Sequence, residues 1–255
     1  MSKPREAQGK MRLDDLLVQQ GLLADREGAL RAVIAGEVLV DDTVAASAAA
    51  KVPANADVRL RRRGDGRFVS RGGSKLQAAL DGFGVAVEGL RCIDVGSSTG
   101  GFTDCLLQAG AAEVACVDVN YGQLAWKVRE HPRTRVFERT NIKGADPAAL
   151  GAPFDLVAID VSFIGLASLA PVLAGLCAPG SQLLALVKPQ FEAAHEETDR
   201  GVVRDEAVRQ RTVREVQAAL AAAGFRVHGT IESPVRGPQG NVEFLVWARY
   251  AGPIA

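Results

Sequence analysis

The stretch Ile93-Asp94-Val95-Gly96-Ser97-Ser98-Thr99-Gly100-Gly101-Phe102 limits this chain to a narrow set of folds. A short apolar run ends in an acid and a glycine-rich turn. A second run, Val114-Ala115-Cys116-Val117, ends at Asp118, 24 positions after Asp94. Strand, glycine turn, helix, strand and terminal acid are the parts of a nucleotide-type cofactor site. The glycines let backbone approach a ligand, and a carboxylate at a strand tip accepts both hydroxyls of a ribose. The glycine spacing narrows the cofactor. A dinucleotide fingerprint needs G-x-G-x-x-G to bring backbone against a pyrophosphate. Here three non-glycines separate Gly96 from Gly100, so that fingerprint fails.

From Gly73 onward helix and strand alternate. A helix begins at Gly73 or Ser74, runs through Leu76, Ala79, Leu80 and Phe83, and closes at Gly82 or Gly84. Seven strands are expected near 92–95, 114–117, 135–138, 156–160, 182–187, 226–231 and 243–248. The clearest helix spans 208–223 and stops at Gly224. This alternation predicts an α/β domain with a mostly parallel sheet covered on both faces. The last two strands are joined by Ser233-Pro234-Val235-Arg236-Gly237-Pro238-Gln239-Gly240-Asn241, with no helix between, so that pair is expected antiparallel. Upstream, Leu13, Leu16, Leu17 and Leu22 have helical spacing, with Gly21 as a stop. Asp25 is the expected N-cap of a second helix carrying Ala29, Leu30, Val33 and Ile34 and ending at Gly36. Val38-Leu39-Val40 and Val58-Arg59-Leu60 read as short strands, with a turn at Asp41-Asp42. The expected organisation is a disordered tail over 1–10, a small α+β module over 11–62, a basic linker over 63–72 and the α/β domain over 73–255.

Thirty basic and thirty acidic residues cancel, so overall charge points to no polyanionic partner. Local charge does. Arg59, Arg61, Arg62, Arg63, Arg67, Arg71 and Lys75 face only Asp65, a balance of +6 over 17 residues. Arginine's planar fork matches phosphate oxygens bidentately, and such a cluster holds a nucleic-acid backbone by counterion release. The bland alternative is a solvated linker. Cys92, Cys105, Cys116 and Cys177 form no C-x-x-C and have no histidine at ligand spacing. Three of the four sit inside apolar runs and read as small core residues, free thiols of a reducing cytosol, with no metal site expected. The polar N-terminus is no signal peptide, and no apolar run reaches the ~18 residues of a membrane span. A cytoplasmic location follows.

In an open α/β sheet ligands sit at the carboxyl ends of strands. Asp160 stands there after Leu156-Val157-Ala158-Ile159. Lys188 follows Leu183-Leu184-Ala185-Leu186-Val187 and precedes Pro189. The plain reading of Lys188 is a snorkelling side chain; the functional one is a partner for Asp160 in a shared pocket. Glu243, inside Asn241-Val242-Glu243-Phe244-Leu245-Val246-Trp247, is by alternation either an exposed strand residue or a third member. Lys75, opening the first helix of the larger domain, would be the fourth.

The acid-headed turn with its next glycine four residues on resembles the S-adenosylmethionine site of Rossmann-like methyltransferases. The order Lys75, Asp160, Lys188, Glu243 resembles the FtsJ-type ribose 2′-O-methyltransferases. The stretches Val69-Ser70-Arg71-Gly72-Gly73-Ser74-Lys75, Ile159-Asp160-Val161-Ser162-Phe163, Val187-Lys188-Pro189-Gln190-Phe191-Glu192 and Gly240-Asn241-Val242-Glu243-Phe244 occur in order with it. The small module, with Arg31-Ala-Val-Ile-Ala-Gly36-Glu-Val-Leu-Val40-Asp, resembles the S-four RNA-binding domain. Together they resemble the TlyA (haemolysin-A-like) rRNA methyltransferase family over nearly the whole chain.

The resemblance implies transfer of a methyl group from S-adenosyl-L-methionine to a cytidine ribose in ribosomal RNA, with rRNA or ribosomal subunits as partners; no membrane partner is expected, and of the oligomeric states open to the chain a monomer is favoured. It assigns Lys188 as proton acceptor or hydroxyl-orienting group. A lysine serves as base only if its pKa falls well below about 10.4, which burial and a neighbouring ammonium favour. Lys75 would position the target and help depress Lys188, Asp160 would orient Lys188, and Glu243 would bind Lys75 or the hydroxyl. Gly96, Ser97, Gly100 and Gly101 would surround the methionine moiety, with Asp94 near its amino group. Asp118 would take the ribose hydroxyls and Asn141 the adenine edge. The broad methyltransferase pattern has a glycine where this chain has Ser98. Arg59 to Arg71 would hold RNA, and 192–204 would be a mobile loop beside it.

Rival readings are weaker. Pseudouridine synthases and tRNA synthetases also carry S-four modules, but no Asp stands in a suitable R-L-D context. A nicotinamide dehydrogenase conflicts with the glycine spacing. A membrane-active haemolysin needs an exposed aromatic face, whereas Trp126 and Trp247 are both expected in the α/β core. A ribosome assembly factor that keeps the fold without the chemistry has no use for the Lys-Asp-Lys-Glu set.

Overall fold

The computed structural model describes residues 9–34, 38–41, 43–60 and 67–253. It divides into two units, 1–63 and 64–255. In the first, β1 (Lys10–Arg12) runs directly into α1 (Leu13–Gln19), and α2 (Arg26–Ile34) follows. The Gly28 N–H donates to the Asp25 carboxylate at 2.6 Å, so Asp25 caps α2. Ala29, Ala32 and Val33 form the buried stripe at i, i+3 and i+4. Leu30 and Ile34 fall one step off that stripe and are exposed, against expectation. β2 (Val38–Val40), β3 (Thr43–Val44), β4 (Lys51–Pro53) and β5 (Val58–Leu60) complete the unit. β2 pairs antiparallel with β3 and β5, and β1 with β4. Lys10, expected in a disordered tail, is thus a strand residue opposite Pro53. Residues 1–8, Gly36 and Asp42 lie outside the described residues.

The second unit opens earlier than expected. Phe68 is buried, and α3 (Arg71–Phe83) starts at Arg71 rather than Gly73. There follow β6 (Arg91–Val95), α4 (Gly101–Gln108), β7 (Glu113–Val117), α5 (Trp126–Arg129), β8 (Thr134–Phe137), α6 (Pro147–Leu150), β9 (Phe154–Ile159), α7 (Ala170–Ala174), β10 (Cys177–Val187), α8 (Pro189–Glu192), α9 (Glu206–Ala222), β11 (Phe225–Glu232) and β12 (Phe244–Tyr250). The seven-stranded sheet has the order β11-β12-β10-β9-β6-β7-β8. It is parallel except for β12, which runs against both neighbours. From β6 the chain moves outward through β7 and β8, then returns to the other side of β6 at β9. The carboxyl ends of β6 and β9 therefore diverge into the crevice where such sheets bind ligands.

Strand parity sorts the two faces. Ile93, Val95, Val157, Ile159, Leu183, Ala185 and Val187 pack with Val213, Val216 and Leu220 of α9. Cys92, Leu156, Ala158, Leu184, Leu186 and Leu245 pack with Leu76 and Leu80 of α3 and with Cys105 and Leu106 of α4. Each fully buried leucine here contributes roughly 1.5–3 kcal/mol. Trp126 departs from expectation: it is 74% exposed. Among the described residues no helix is long and apolar enough to cross a membrane.

Candidate active site

Parity also gathers the charged residues. Asp160 continues the 156, 158 side of β9, Lys188 the 184, 186 side of β10, and Glu243 the 245, 247 side of β12. All three therefore fall on the face covered by α3 and α4. Lys75 lies one turn into α3. Alternation made Glu243 a possible solvent residue; the side it selects is the one α3 covers, and Glu243 is fully buried.

Two ion pairs result. Lys75 Nζ donates to Glu243 Oε2 at 2.5 Å, with side chains 10% and 0% exposed. Lys188 Nζ lies 2.6 Å from Asp160 Oδ1 and donates to Ser162 Oγ at 2.9 Å. The Lys188–Asp160 contact is a close ion pair. Gln190 Nε2 reaches Glu243 Oε1 at 3.4 Å and links the segment carrying Lys188 to the other pair. Small residues allow α3 to come close enough. A β-carbon at Gly101 would lie 2.2 Å from Ser70 Oγ and 2.9 Å from the Gly73 nitrogen, so the start of α3 rests on the start of α4.

Beside these pairs, at the β6/β9 crevice, is a cavity of about 410 Å³ lined by Gly96, Ser98, Asp118, Asn120, Asn141 and Asp160 among others. Gly96 has φ +84, and a β-carbon there would stand 2.4 Å from the Asp160 carbonyl oxygen, so only glycine lets loop and strand end meet. Asp118 accepts from the Ser98 N–H at 2.7 Å and the Asn120 N–H at 2.8 Å, one on each oxygen. Each oxygen keeps a lone pair for a hydroxyl donor. Ser98 takes φ +46, the conformation for which the broad pattern carries glycine.

The cofactor residues expected from sequence separate into wall and frame. Gly96, Asp118 and Asn141 line the cavity; Asp94, Ser97, Gly100 and Gly101 do not. Asp94 sits beneath the loop, wholly buried, where Oδ2 accepts from the Thr103 N–H at 2.9 Å and Thr103 Oγ1 at 2.6 Å. Its Oδ1 is buried without a partner. Burial, and to a lesser degree the charges of Asp160 and Asp118, push its pKa up to about 7, with the Thr103 bonds opposing. Of the arginine set, Arg59, Arg67 and Arg71 are exposed, while Arg61, Arg62 and Arg63 lie outside the described residues. The stretch 192–204, expected as mobile, is tied down. Glu192 Oε1 accepts from the Leu166 N–H at 2.5 Å, and Asn241 Oδ1 accepts from the Val203 N–H at 3.2 Å.

Sequence reasoning quoted Ser162, Phe163, Gln190 and Phe191 inside motifs without giving them roles. Phe163 is 91% exposed at φ +67, with its ring 5.3 Å from that of Phe191. No local signal marks these four residues, because exposure, a positive φ and a neighbouring ion pair exist only in the folded chain.

A cavity in the size range of small-molecule sites, at a sheet switch point, with the Asp118 carboxylate at a strand tip for a ribose and the Asp160 carboxylate for a cationic centre, fits S-adenosylmethionine. The fold and site define a Rossmann-like methyltransferase that uses this cofactor. Residues 68–250 match the FtsJ-like methyltransferase family, and the chain belongs to that family and, within it, to the family of TlyA. It is 42% identical to the 16S/23S rRNA (cytidine-2′-O)-methyltransferase TlyA of Mycobacterium tuberculosis, over 94% of this chain and 90% of that protein. It is 33% identical to Hemolysin A of Brachyspira hyodysenteriae, over 92% and 98%. A solved Streptococcus thermophilus protein that bears a provisional hemolysin label superposes with a TM-score of 0.73 at 40% identity, over 97% of this chain and 91% of that one.

Proposed function

We propose that the chain transfers a methyl group from S-adenosylmethionine to the 2′-oxygen of a cytidine ribose in ribosomal RNA. The observation that carries this reading is shared walls: Asp160 and Ser162, which hold Lys188 Nζ, also line the cofactor cavity. A lysine amine is thereby fixed at the edge of the methyl donor's cavity. The cofactor, when bound, supplies the methyl group on a sulfonium. The chain's residues do the rest. Asp118 and Asn141 hold the nucleoside end, and Asp160 and Ser162 orient Lys188. Lys188 Nζ aligns the ribose hydroxyl and, once it has given up its own ammonium proton to solvent, takes up the proton the hydroxyl sheds. Glu243 holds Lys75, which steers the ribose–phosphate. Phe163, standing out in water, offers a ring against which a base can stack. The small N-terminal unit acts as an S-four-like RNA-binding domain with Arg59, Arg61, Arg62 and Arg63 as phosphate contacts, Arg67 and Arg71 of the larger unit serve as further phosphate contacts, and the enzyme works on cytoplasmic ribosomes as a monomer. The relatives' names support the substrate.

The test is transfer of tritiated methyl to purified ribosomal subunits lacking native methylation. Wild type should label a ribose 2′-oxygen. Lys188→Ala and Lys188→Arg should each lose about 10²–10⁴-fold. An arginine variant with wild-type turnover would remove the proton-accepting role, since arginine cannot accept a proton. No label on either subunit, with the cofactor shown to bind, would remove the substrate.

A further inference from the structure

Two large aromatic side chains stand in water in the segment that leaves the cavity wall after β7, and methyl transfer uses neither. Tyr121 is 67% exposed and Trp126 is 74% exposed. Both belong to the segment after β7, whose first residues, Asp118, Val119 and Asn120, form part of the cavity wall. Side chains of this size ordinarily bury 150–250 Å². The segment is nevertheless anchored. The Gly122 N–H donates to Glu138 Oε1 at 2.8 Å, Arg129 pairs with the same carboxylate, and the Ala125 N–H donates to the Thr99 carbonyl at 3.1 Å. The rings are therefore presented from a fixed frame.

Their surroundings are cationic. The Arg139 guanidinium lies 4.6 Å from the centre of the Tyr121 ring. Lys127 adjoins Trp126 in sequence and has a largely exposed side chain, which meets Asp104 at 3.0 Å. Of the basic residues between Trp126 and Arg139, Arg129 is held by Glu138, Arg135 by Glu113 and Arg133 by the Ala111 carbonyl, which leaves Lys127 and Arg139 to face a ligand. Aromatic faces set among cations are the combination that holds unpaired nucleic acid: rings stack on bases of any identity, and the cations follow the backbone.

We propose that Tyr121 and Trp126 are stacking surfaces for unpaired RNA bases, carried by the segment that leaves the cavity wall at Asp118 and Asn120. The proposal rests on the RNA-methylation reading and extends it. The platform holds the strand next to the target nucleotide and contributes affinity rather than chemistry.

The chain has two tryptophans, and Trp247 packs against Phe83, so a full-length Trp247→Phe protein reports on Trp126 alone. A short unstructured oligoribonucleotide should quench that emission, and a duplex of equal length should quench it less. Tyr121→Ala combined with Trp126→Ala should weaken binding of the oligoribonucleotide about ten-fold or more. S-adenosylmethionine affinity, measured by calorimetry, should not change, which also reports an intact fold. Arg139→Gln should lower the salt dependence of RNA binding by about one unit of slope. Equal RNA affinity for wild type and the double variant overturns the platform while leaving the methylation reading standing. The same equality with a changed sedimentation coefficient overturns it in favour of a contact between copies. A wild type that neither binds nor methylates RNA overturns the functional reading, and the platform with it.

Discussion

Glu243→Gln removes one charge and almost no volume from the most buried ion pair of the site. Lys75 would then face an amide where its own side chain is 10% exposed and the partner position is closed to water. Exposed ion pairs are worth at most about 1 kcal/mol. Breaking a buried pair on one side costs about 3–5 kcal/mol, because the remaining charge is left without compensation. In a domain of this size each kcal/mol lowers Tm by roughly 2–4 °C, so the expected fall is about 6–20 °C. Lys75→Met should cost a similar amount. The double variant, which leaves no buried charge, should recover most of the loss, giving a large coupling energy in a double-mutant cycle. Thermal unfolding followed by circular dichroism measures the cycle, and methyl transfer is assayed on the same proteins. Turnover should stay lost in the double variant, because restoring stability does not restore the lysine. Losses that simply add, or a single-variant loss under about 1 kcal/mol, would refute the buried-pair argument. Recovered turnover in the double variant would refute the role of Lys75.

Asp94 should make stability pH-dependent. Burial raises its pKa to about 7 from an ordinary 3.8, so the folded chain keeps a proton that the unfolded chain has shed. Its contribution is fully present below 3.8 and is lost as pH rises through 7; urea midpoints should fall across that window, and Asp94→Asn should flatten the fall. Glu192→Ala should release the loop held at Leu166 and lower kcat with little change in cofactor affinity, with Glu192→Gln restoring part of it; equal effects of the two variants would exclude a hydrogen-bonding role. Burial pushes all four cysteine thiols up to about 12, so a thiol-reactive dye should label them only as the protein unfolds; rapid labelling of the native chain would contradict their packing.

Much of the larger domain was legible because its signals are local. Most of the seven strands are apolar runs bounded by turn residues, and the Pro/Gly-rich segment before Asn241 announced the reversal of β12. Trp126 was misplaced because residue type alone says that a tryptophan prefers burial, and only the neighbours it lacks say otherwise. Leu30 and Ile34 were read onto a buried stripe that a one-residue rotation gives to Ala29, Ala32 and Val33. Asp94 was expected at the ligand, yet parity turns it toward α4 and Thr103. The arginine run is plain in the sequence, but Arg61, Arg62 and Arg63 lie outside the described residues.

The sequence by itself determined the order of strands and helices, the glycine turn, the acid at the tip of β7 and the residue types at the strand ends. These depend on periodicity and backbone conformation, which neighbouring residues set. The tertiary structure alone decided that Glu243 is buried, that it meets Lys75 across 168 positions of chain, and that Asp160 and Ser162 serve both Lys188 and the cavity. Burial and ion pairing depend on which element covers a face, and here α3 and α4 lie over one side of a sheet whose strands were assembled out of sequence order.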